Sequence, residues 1–405
     1  MRRRTGSLAW NVPERRYRLH EPGWDGPFGR FPLAVVGAGT YRSFPVKWLD
    51  LNRQYLEREE EFQQALLRVV TRGQYLDGPE VPALEADLSR FLGESIRSVA
   101  CSSGSDALVL AMRAIGVGEG DEVVVPAFTF AATAEAVVHV GAVPVFCDVD
   151  AAGLMAPETV SVCLTDRTRA VLAVSLFGQV PRLEELDALL QGRDIALLED
   201  AAQSFGAKRH GILSGSTVMS TTSFFPGKPL GAWGKGGAVF CRDPDLADRL
   251  RALRNHGQAE RGSHDEVGWN MRMDELQAAV LQVKLAMYPR ELARRQELAD
   301  LYARHLPTGL ERLTLLPGNE SSWSQLTVLS PERDALRGRL SAEGVPTSVH
   351  YTRILPEQPA FSRWAGECAF PRAKALSRQI LSLPLHPYLT DDEVVEVCAV
   401  LASCV

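Results

Sequence analysis

Little in this sequence is present in excess, and the gaps exclude several functions. No cysteine pair has CxxC spacing: Cys101, Cys147, Cys163, Cys241, Cys368, Cys398 and Cys404 are scattered, mostly in apolar contexts. That pattern predicts buried free thiols in a reducing compartment and offers no metal site. No apolar run approaches the roughly 18 residues of a membrane helix, and Thr5 to Glu14, behind three arginines, hold no signal-like apolar stretch. A cytoplasmic protein without a membrane partner is expected. Basic charge is also short. The formal net charge is -6 and the dense basic run is Arg2 to Arg4, so the composition argues for no nucleic-acid partner. Internal repeats and low-complexity tracts are missing too.

What remains is ordinary enzyme material. The 405 residues, 45% hydrophobic and 23% charged, are long enough for two or three structural units. Residues 1 to 43, rich in Arg, Gly and Pro and without periodicity, read as an added, poorly ordered arm. Within it Leu33 to Arg42 starts like a strand followed by a GxG at Gly37 and Gly39. Arg42 replaces the third glycine and no helix pattern follows, which weighs against a dinucleotide site.

From Val81 to Arg254 short apolar runs bounded by Gly and Pro alternate with amphipathic stretches. Strands are predicted at Glu122–Val125, Val143–Phe146, Ala170–Ser175, Ile195–Leu198, Val218–Phe225 and Gly237–Cys241, with helices at Ser105–Ile115 and Leu183–Leu190. Runs this apolar imply a sheet buried on both faces, and therefore a mostly parallel α/β domain, assigned to residues 44–285. A helical tract from Asp274 to His305, broken near Pro289, leads into a small α+β C-terminal domain, residues 286–405. Its predicted elements are strands Gln325–Leu329 and Thr347–Tyr351 and helices Pro331–Ala342 and Asp391–Ala402.

Asp200 ends an apolar strand, where open α/β sheets bind ligands. Lys228 follows another strand in a Gly–Lys–Pro turn. A lysine held there away from water can lose its proton and act as an amine nucleophile. Together they suggest pyridoxal 5'-phosphate, which needs a lysine for its Schiff base, a carboxylate for its ring nitrogen, a phosphate cradle and ring-face contacts. Gln203 is placed to reach the ring hydroxyl. Gly104, Ser105 and Asp106 open an apolar helix whose free N–H groups suit a phosphate. Ser223 offers a further phosphate contact and Phe130 a stacking face. Each piece alone also reads as a cap, a core aromatic or a solvated lysine; Lys208 and Lys235 lack the strand-end placement.

Gly78–Val81, Gly104–Leu108, Pro126–Phe130, Glu199–Gln203, Ser223–Lys228, Arg254–Gly257 and Asn270–Asp274 stand in order over some 360 residues. In these the chain resembles the DegT/DnrJ/EryC1/StrS family of fold-type-I, pyridoxal-phosphate-dependent sugar aminotransferases. The resemblance implies a seven-stranded, mostly parallel sheet in the large domain and ping-pong transfer from glutamate to a keto sugar nucleotide. It assigns proton transfer to Lys228, ring contacts to Asp200 and Gln203, and phosphate contacts to Ser105, Asp106 and Ser223. Asn270 would reach the phosphate from a partner subunit, which implies a homodimer with shared sites.

Ser175–Gln179 and Gly344–Tyr351 look most like the branch that aminates the C3 ketone of UDP-2-acetamido-2-deoxy-3-keto-glucuronic acid. Ser175 is a further cofactor candidate, and that branch places Arg272, His350 and Tyr351 at the sugar acid. Where relatives commonly carry proline and a Pro-Leu pair, this chain reads Thr352 to Pro356 with Arg353 inside. Another keto sugar or a keto cyclitol therefore stays open as acceptor. Rival readings are a dehydratase of the same fold, against which Lys228 argues, a non-catalytic cofactor-binding regulator, and a nicotinamide enzyme using Gly37 and Gly39.

Overall fold

Short β-branched runs supply the strands of a central sheet: β1 (Arg97–Cys101), β2 (Glu122–Pro126), β3 (Val143–Cys147), β4 (Thr168–Val174), β5 (Ala196–Asp200), β6 (Met219–Ser223) and β7 (Gly237–Cys241). The computed structural model describes residues 46–366 and 368–405. The N-terminal arm, with Gly37 and Gly39, lies outside the described residues. The seven strands lie in the order β1-β7-β6-β5-β4-β2-β3. Strand β7 runs antiparallel to β1 and β6, and the other pairings are parallel. The expected mostly parallel seven-stranded sheet is therefore present.

Alternation along β4 shows why its sequence is apolar throughout. Ala170, Leu172 and Val174 enter a core formed with the helices Gly104–Ala114 and Ala131–His139, while Val171 and Ala173 enter another with Leu183, Leu186 and Leu190 of the helix Leu183–Leu190. Both faces are dry, as a parallel sheet requires. Since β1, β2, β4, β5 and β6 point the same way, the chain leaves all of them at one edge. Ser102–Asp106, Ala127–Phe130, Ser175, Asp200 and Ser223–Lys228 are thereby gathered from distant parts of the sequence.

The helix predicted to break at Pro289 does not. It runs unbroken from Glu275 to His305 with Pro289 inside. Proline removes one donor and crowds the preceding turn, but packing anchors both halves. Leu281, Leu285 and Tyr288 lie in a core with Phe205 and Phe224, and Leu298, Leu301 and Tyr302 in one with Leu326, Leu381 and Val397. The helix thus passes through the expected boundary at 285/286. Beyond it, Glu311–Arg312, Leu326–Leu329 and Ile380–Leu383 form a small antiparallel sheet beside the helices Arg333–Ala342 and Asp391–Cys404. Ile354, Leu355, Phe361 and Leu376 pack instead into the core of the large sheet.

The predicted strand Thr347–Tyr351 is reduced to one bridge, Ser348 to Ser382. Beyond it the chain turns His350 and Tyr351 toward Ser382 and Gln203, which a continued ladder would not allow.

Candidate active site

The turn after β6 shapes the position of Lys228. Its N–H donates to the Phe225 carbonyl at 2.8 Å, and the Ala232 N–H donates to the Phe224 carbonyl at 2.8 Å. The loop closes so tightly that a Cβ on Gly231 would meet the Pro226 carbonyl oxygen at 2.6 Å. Lys228 is part-buried, and burial pushes its amine below the usual lysine range against the opposing pull of the Asp200 charge. Lys208 instead pairs with Glu320 at 3.5 Å, and Lys235 is exposed.

Asp200, at the end of β5, is buried. Its carboxylate accepts from the Ala202 N–H at 3.1 Å and from the Thr133 hydroxyl at 3.4 Å. Burial raises its pKa despite the Ala202 N–H, the Lys228 charge and Thr133, which favour the anion. A buried acid with two modest donors and no ion pair within 4 Å among the described residues suits an added cation, and a protonated pyridine nitrogen is one.

The candidate phosphate cradle is set by close backbone approach. Ser103, rather than Ser105, caps the helix Gly104–Ala114 by accepting from the Asp106 N–H at 3.1 Å. Gly104 and Ser105 thus lie in the first turn, whose N–H groups lack intrahelical partners, and the Ser105 side chain is exposed. A Cβ on Gly104 would lie 2.5 Å from Ser223 Cβ, so glycine is what lets this turn meet the end of β6. Asp106 accepts from the Ser102 hydroxyl at 2.5 Å. Together with Asp200 and Lys228 these groups fit pyridoxal phosphate.

Gln203 is held at both ends. Its Oε1 accepts from the Phe177 N–H at 3.1 Å, and its Nε2 donates to the Tyr351 hydroxyl at 3.0 Å. Tyr351 lies 5.9 Å from the ring of Phe130, which is 56% exposed and so keeps a free face. The His350 ring nitrogens face Ser382 at 3.2 Å and Ser348 at 3.4 Å. Burial, with the Lys228 charge, pushes His350 down to about 4. At neutral pH it is uncharged and offers hydrogen bonds only.

Three predicted residues stand apart from this cluster. The Ser175 hydroxyl donates to Glu199 Oε1 at 2.6 Å, on the face of β5 opposite Asp200. Arg272 donates to Asp77 at 2.7 Å and to exposed Asn270 at 3.4 Å. Among the described residues no hydrogen bond joins this pair to Lys228 or Asp200, although the Ser102 N–H donates to the Met271 carbonyl at 2.8 Å.

Thr133, Phe177 and Lys284 are not marked as site residues by their sequence context. A hydroxyl in a helix and a backbone N–H carry no local signal. Lys284 is fully buried, held down to about 8 by burial, and 6.0 Å from the Trp233 ring. It lines a cavity of about 10 Å³ with Lys228, Gln54, Glu291, Arg295 and Tyr388. Its helical, apolar sequence context gave no reason to single it out. The acid acting on it is Glu291, whereas Lys228 has the strand-end Asp200.

A lysine and an aspartate across the carboxyl edge of such a sheet, with a glycine-built phosphate turn, define a fold-type-I pyridoxal-phosphate-dependent aminotransferase. The chain belongs to the DegT/DnrJ/EryC1/StrS aminotransferase family, whose model matches residues 56–402. It is 39% identical to the UDP-2-acetamido-2-deoxy-3-oxo-D-glucuronate aminotransferase of Pseudomonas aeruginosa, over 88% of this chain and 100% of that one. It is 41% identical to the dTDP-3-amino-3,4,6-trideoxy-alpha-D-glucose transaminase of Streptomyces venezuelae, over 85% and 92% of the two chains. The structure resembles that of S. venezuelae DesV in complex with a ketimine intermediate, with a TM-score of 0.85 and 38% identity over 88% of this chain and 98% of that one.

Proposed function

We propose that this enzyme moves the amino group of glutamate to the C3 ketone of a UDP-linked 2-acetamido-3-keto-hexuronic acid, for surface polysaccharide or natural-product sugars, in the cytoplasm. When bound, pyridoxal phosphate would supply the electron sink that makes the α-proton of the donor acidic. Lys228, whose amine burial pushes below the usual lysine range, would take that proton and return it on the cofactor side of the site; for the acceptor it would run the transfer backwards. Asp200 holds the positive ring nitrogen. Gln203, fixed by Phe177 and Tyr351, orients the ring hydroxyl, Phe130 covers a face, and Gly104, Ser105, Asp106 and Ser223 hold the phosphate.

Arg272 carries the substrate reading. Its guanidinium is part-buried, its Nε has no hydrogen-bond partner, and it has one exposed acid, Asp77, as counter-ion. A sugar carboxylate offers the planar, bidentate match that such a fork favours, with neutral His350 and Tyr351 as hydrogen-bonding neighbours. The P. aeruginosa relative bears the name of a uronate enzyme, which supports this reading. The S. venezuelae relative bears that of a dTDP-sugar enzyme, and Asp77, already on Arg272, favours a neutral acceptor as the second reading.

The homodimer belongs to the same proposal. Asn270 faces outward, and Leu67, Val70, Tyr75 and Leu76 are exposed apolar side chains in the sequence leading to Asp77, a surface suited to a second copy.

The test is incubation of the purified protein, pyridoxal phosphate and glutamate with a panel of keto sugar nucleotides, followed by mass spectrometry and NMR. Amination of the 3-keto-uronate above all others is expected; a preference for a neutral keto sugar selects the second reading. Lys228→Ala should abolish steady turnover, and steady turnover by that variant would remove the mechanism.

A further inference from the structure

Strand β5 ends in two adjacent buried acids, and strand alternation sends their side chains to opposite faces. Asp200 faces the cofactor. Glu199, fully buried on the other side, has no part in the mechanism above. Its Oε1 accepts from the Ser175 hydroxyl at 2.6 Å and the Ser214 hydroxyl at 2.5 Å; its Oε2 accepts from the Gly215 N–H at 2.8 Å and the Ser220 hydroxyl at 3.1 Å. Among the described residues no basic side chain lies within 4 Å of it. A buried carboxylate without a cation is costly to keep unless its lone pairs are filled, and here Ser175, Ser214 and Gly215 fill them, with Ser220 sharing its proton between Glu199 and the Val218 carbonyl at 2.9 Å.

The donor that leads back to the site is Ser175. Its N–H donates to the Asp200 carbonyl at 2.9 Å, and it opens the turn Leu176–Gly178. In that turn Phe177 has a φ of 57°, a conformation a phenylalanine adopts only when its surroundings impose it. The turn aims the Phe177 N–H at Gln203, whose amide then reaches Tyr351.

We propose that Glu199 is a positioning residue: through the Ser175 hydroxyl it fixes the turn that aims Gln203 at Tyr351 and the cofactor ring, and Ser175 acts through Glu199 without touching the cofactor. This rests on the assignment of Gln203 to the pyridoxal phosphate site.

The test is a double-mutant cycle on the full chain, with apoprotein titrated with pyridoxal phosphate. Its readouts are the dissociation constant, the pH midpoint of the visible band of the bound cofactor, and the melting of the apoprotein. Ser175→Ala and Glu199→Gln should each weaken cofactor binding about ten-fold, as loss of one charge-assisted hydrogen bond does. The double variant should be no weaker than the worse single one, because both cut the same chain. The band midpoint should move in the same direction as in Gln203→Ala. Multiplicative losses would mean that Ser175 meets the cofactor independently, and would overturn the proposal. So would lower melting temperatures with unchanged cofactor affinity and midpoint. If Glu199→Gln does not fold, the cycle of Ser175→Ala with Gln203→Ala decides the matter by the same criterion. Failure of the unaltered protein to bind pyridoxal phosphate would instead remove the underlying site assignment, before any variant is compared.

Discussion

At Lys228 and Asp200 burial works against both charges at once, lowering the amine and raising the acid. Their mutual attraction only partly offsets that cost. Each is left short of a full partner, which is the state an incoming aldehyde and pyridine nitrogen can use. Arg272 presents the opposite case, since Asp77 already occupies one of its Nη groups. Asp77→Asn removes that competitor. The KM for a uronate acceptor is expected to fall by about two- to five-fold, the range of an exposed ion pair of up to ~1 kcal/mol, with little change for a neutral keto sugar. Steady-state kinetics on both acceptors checks this. An equal change for both would mean that Arg272 does not read the carboxylate.

The elements matter through where their ends meet. Gly104→Ala puts a methyl group 2.5 Å from Ser223 Cβ, so the first turn of the helix and the end of β6 must separate. Fluorescence titration of the apoprotein should show at least a ten-fold weaker affinity for pyridoxal phosphate, about 1.4 kcal/mol, with the helix content by circular dichroism unchanged. At the start of the long helix, Glu275 accepts from the N–H groups of Gly78, Glu80 and Val81 at 2.9, 2.7 and 3.3 Å. That ties the loop carrying Asp77 to the helix that follows Arg272. Glu275→Gln turns one accepting oxygen into a donor facing backbone N–H groups. Denaturant unfolding should report a loss of about 2 to 3 kcal/mol, the scale of a hydrogen bond to a charged group plus an unsatisfied donor.

For the whole molecule the consequence is a dependence of stability on pH. His386 is 1% exposed, and neither ring nitrogen has a partner. Burial, helped by the Arg295 charge, pushes it from 6.5 to about 4. The unfolded chain therefore binds more protons than the folded one between those values. Stability is complete above about 6.5 and is lost as pH falls toward 4, by as much as ~3 kcal/mol for a shift of this size. His350, also lowered to about 4, adds in the same direction, less so because it is only part-buried. Urea unfolding at pH 7.5, 6 and 5 should show the decline, and His386→Gln should flatten it by up to one proton. An unchanged slope in that variant would assign the acid sensitivity to other groups.

Much of the candidate site was legible because its signals are local. An acid closing an apolar run and a lysine in a Gly–Lys–Pro turn depend on neighbours in sequence, and one chain direction for six strands then brings them to a common edge. Strand positions were readable for the same reason: a parallel sheet, dry on both faces, demands continuous apolar runs. The strand at Thr347–Tyr351 and the break at Pro289 were misjudged because contacts from afar outweighed local preference there. Ser348 finds one partner before the chain turns into the site, and packing at both ends carries the helix through its proline. The Glu199 clamp, Thr133 at Asp200 and the meeting of Gln203 with Tyr351 join residues 15 to 148 positions apart. Sequence alone determined which chemistry is available. Only the tertiary structure decided which groups are kept from water and aimed at one another, because burial and hydrogen-bond geometry arise when distant segments pack.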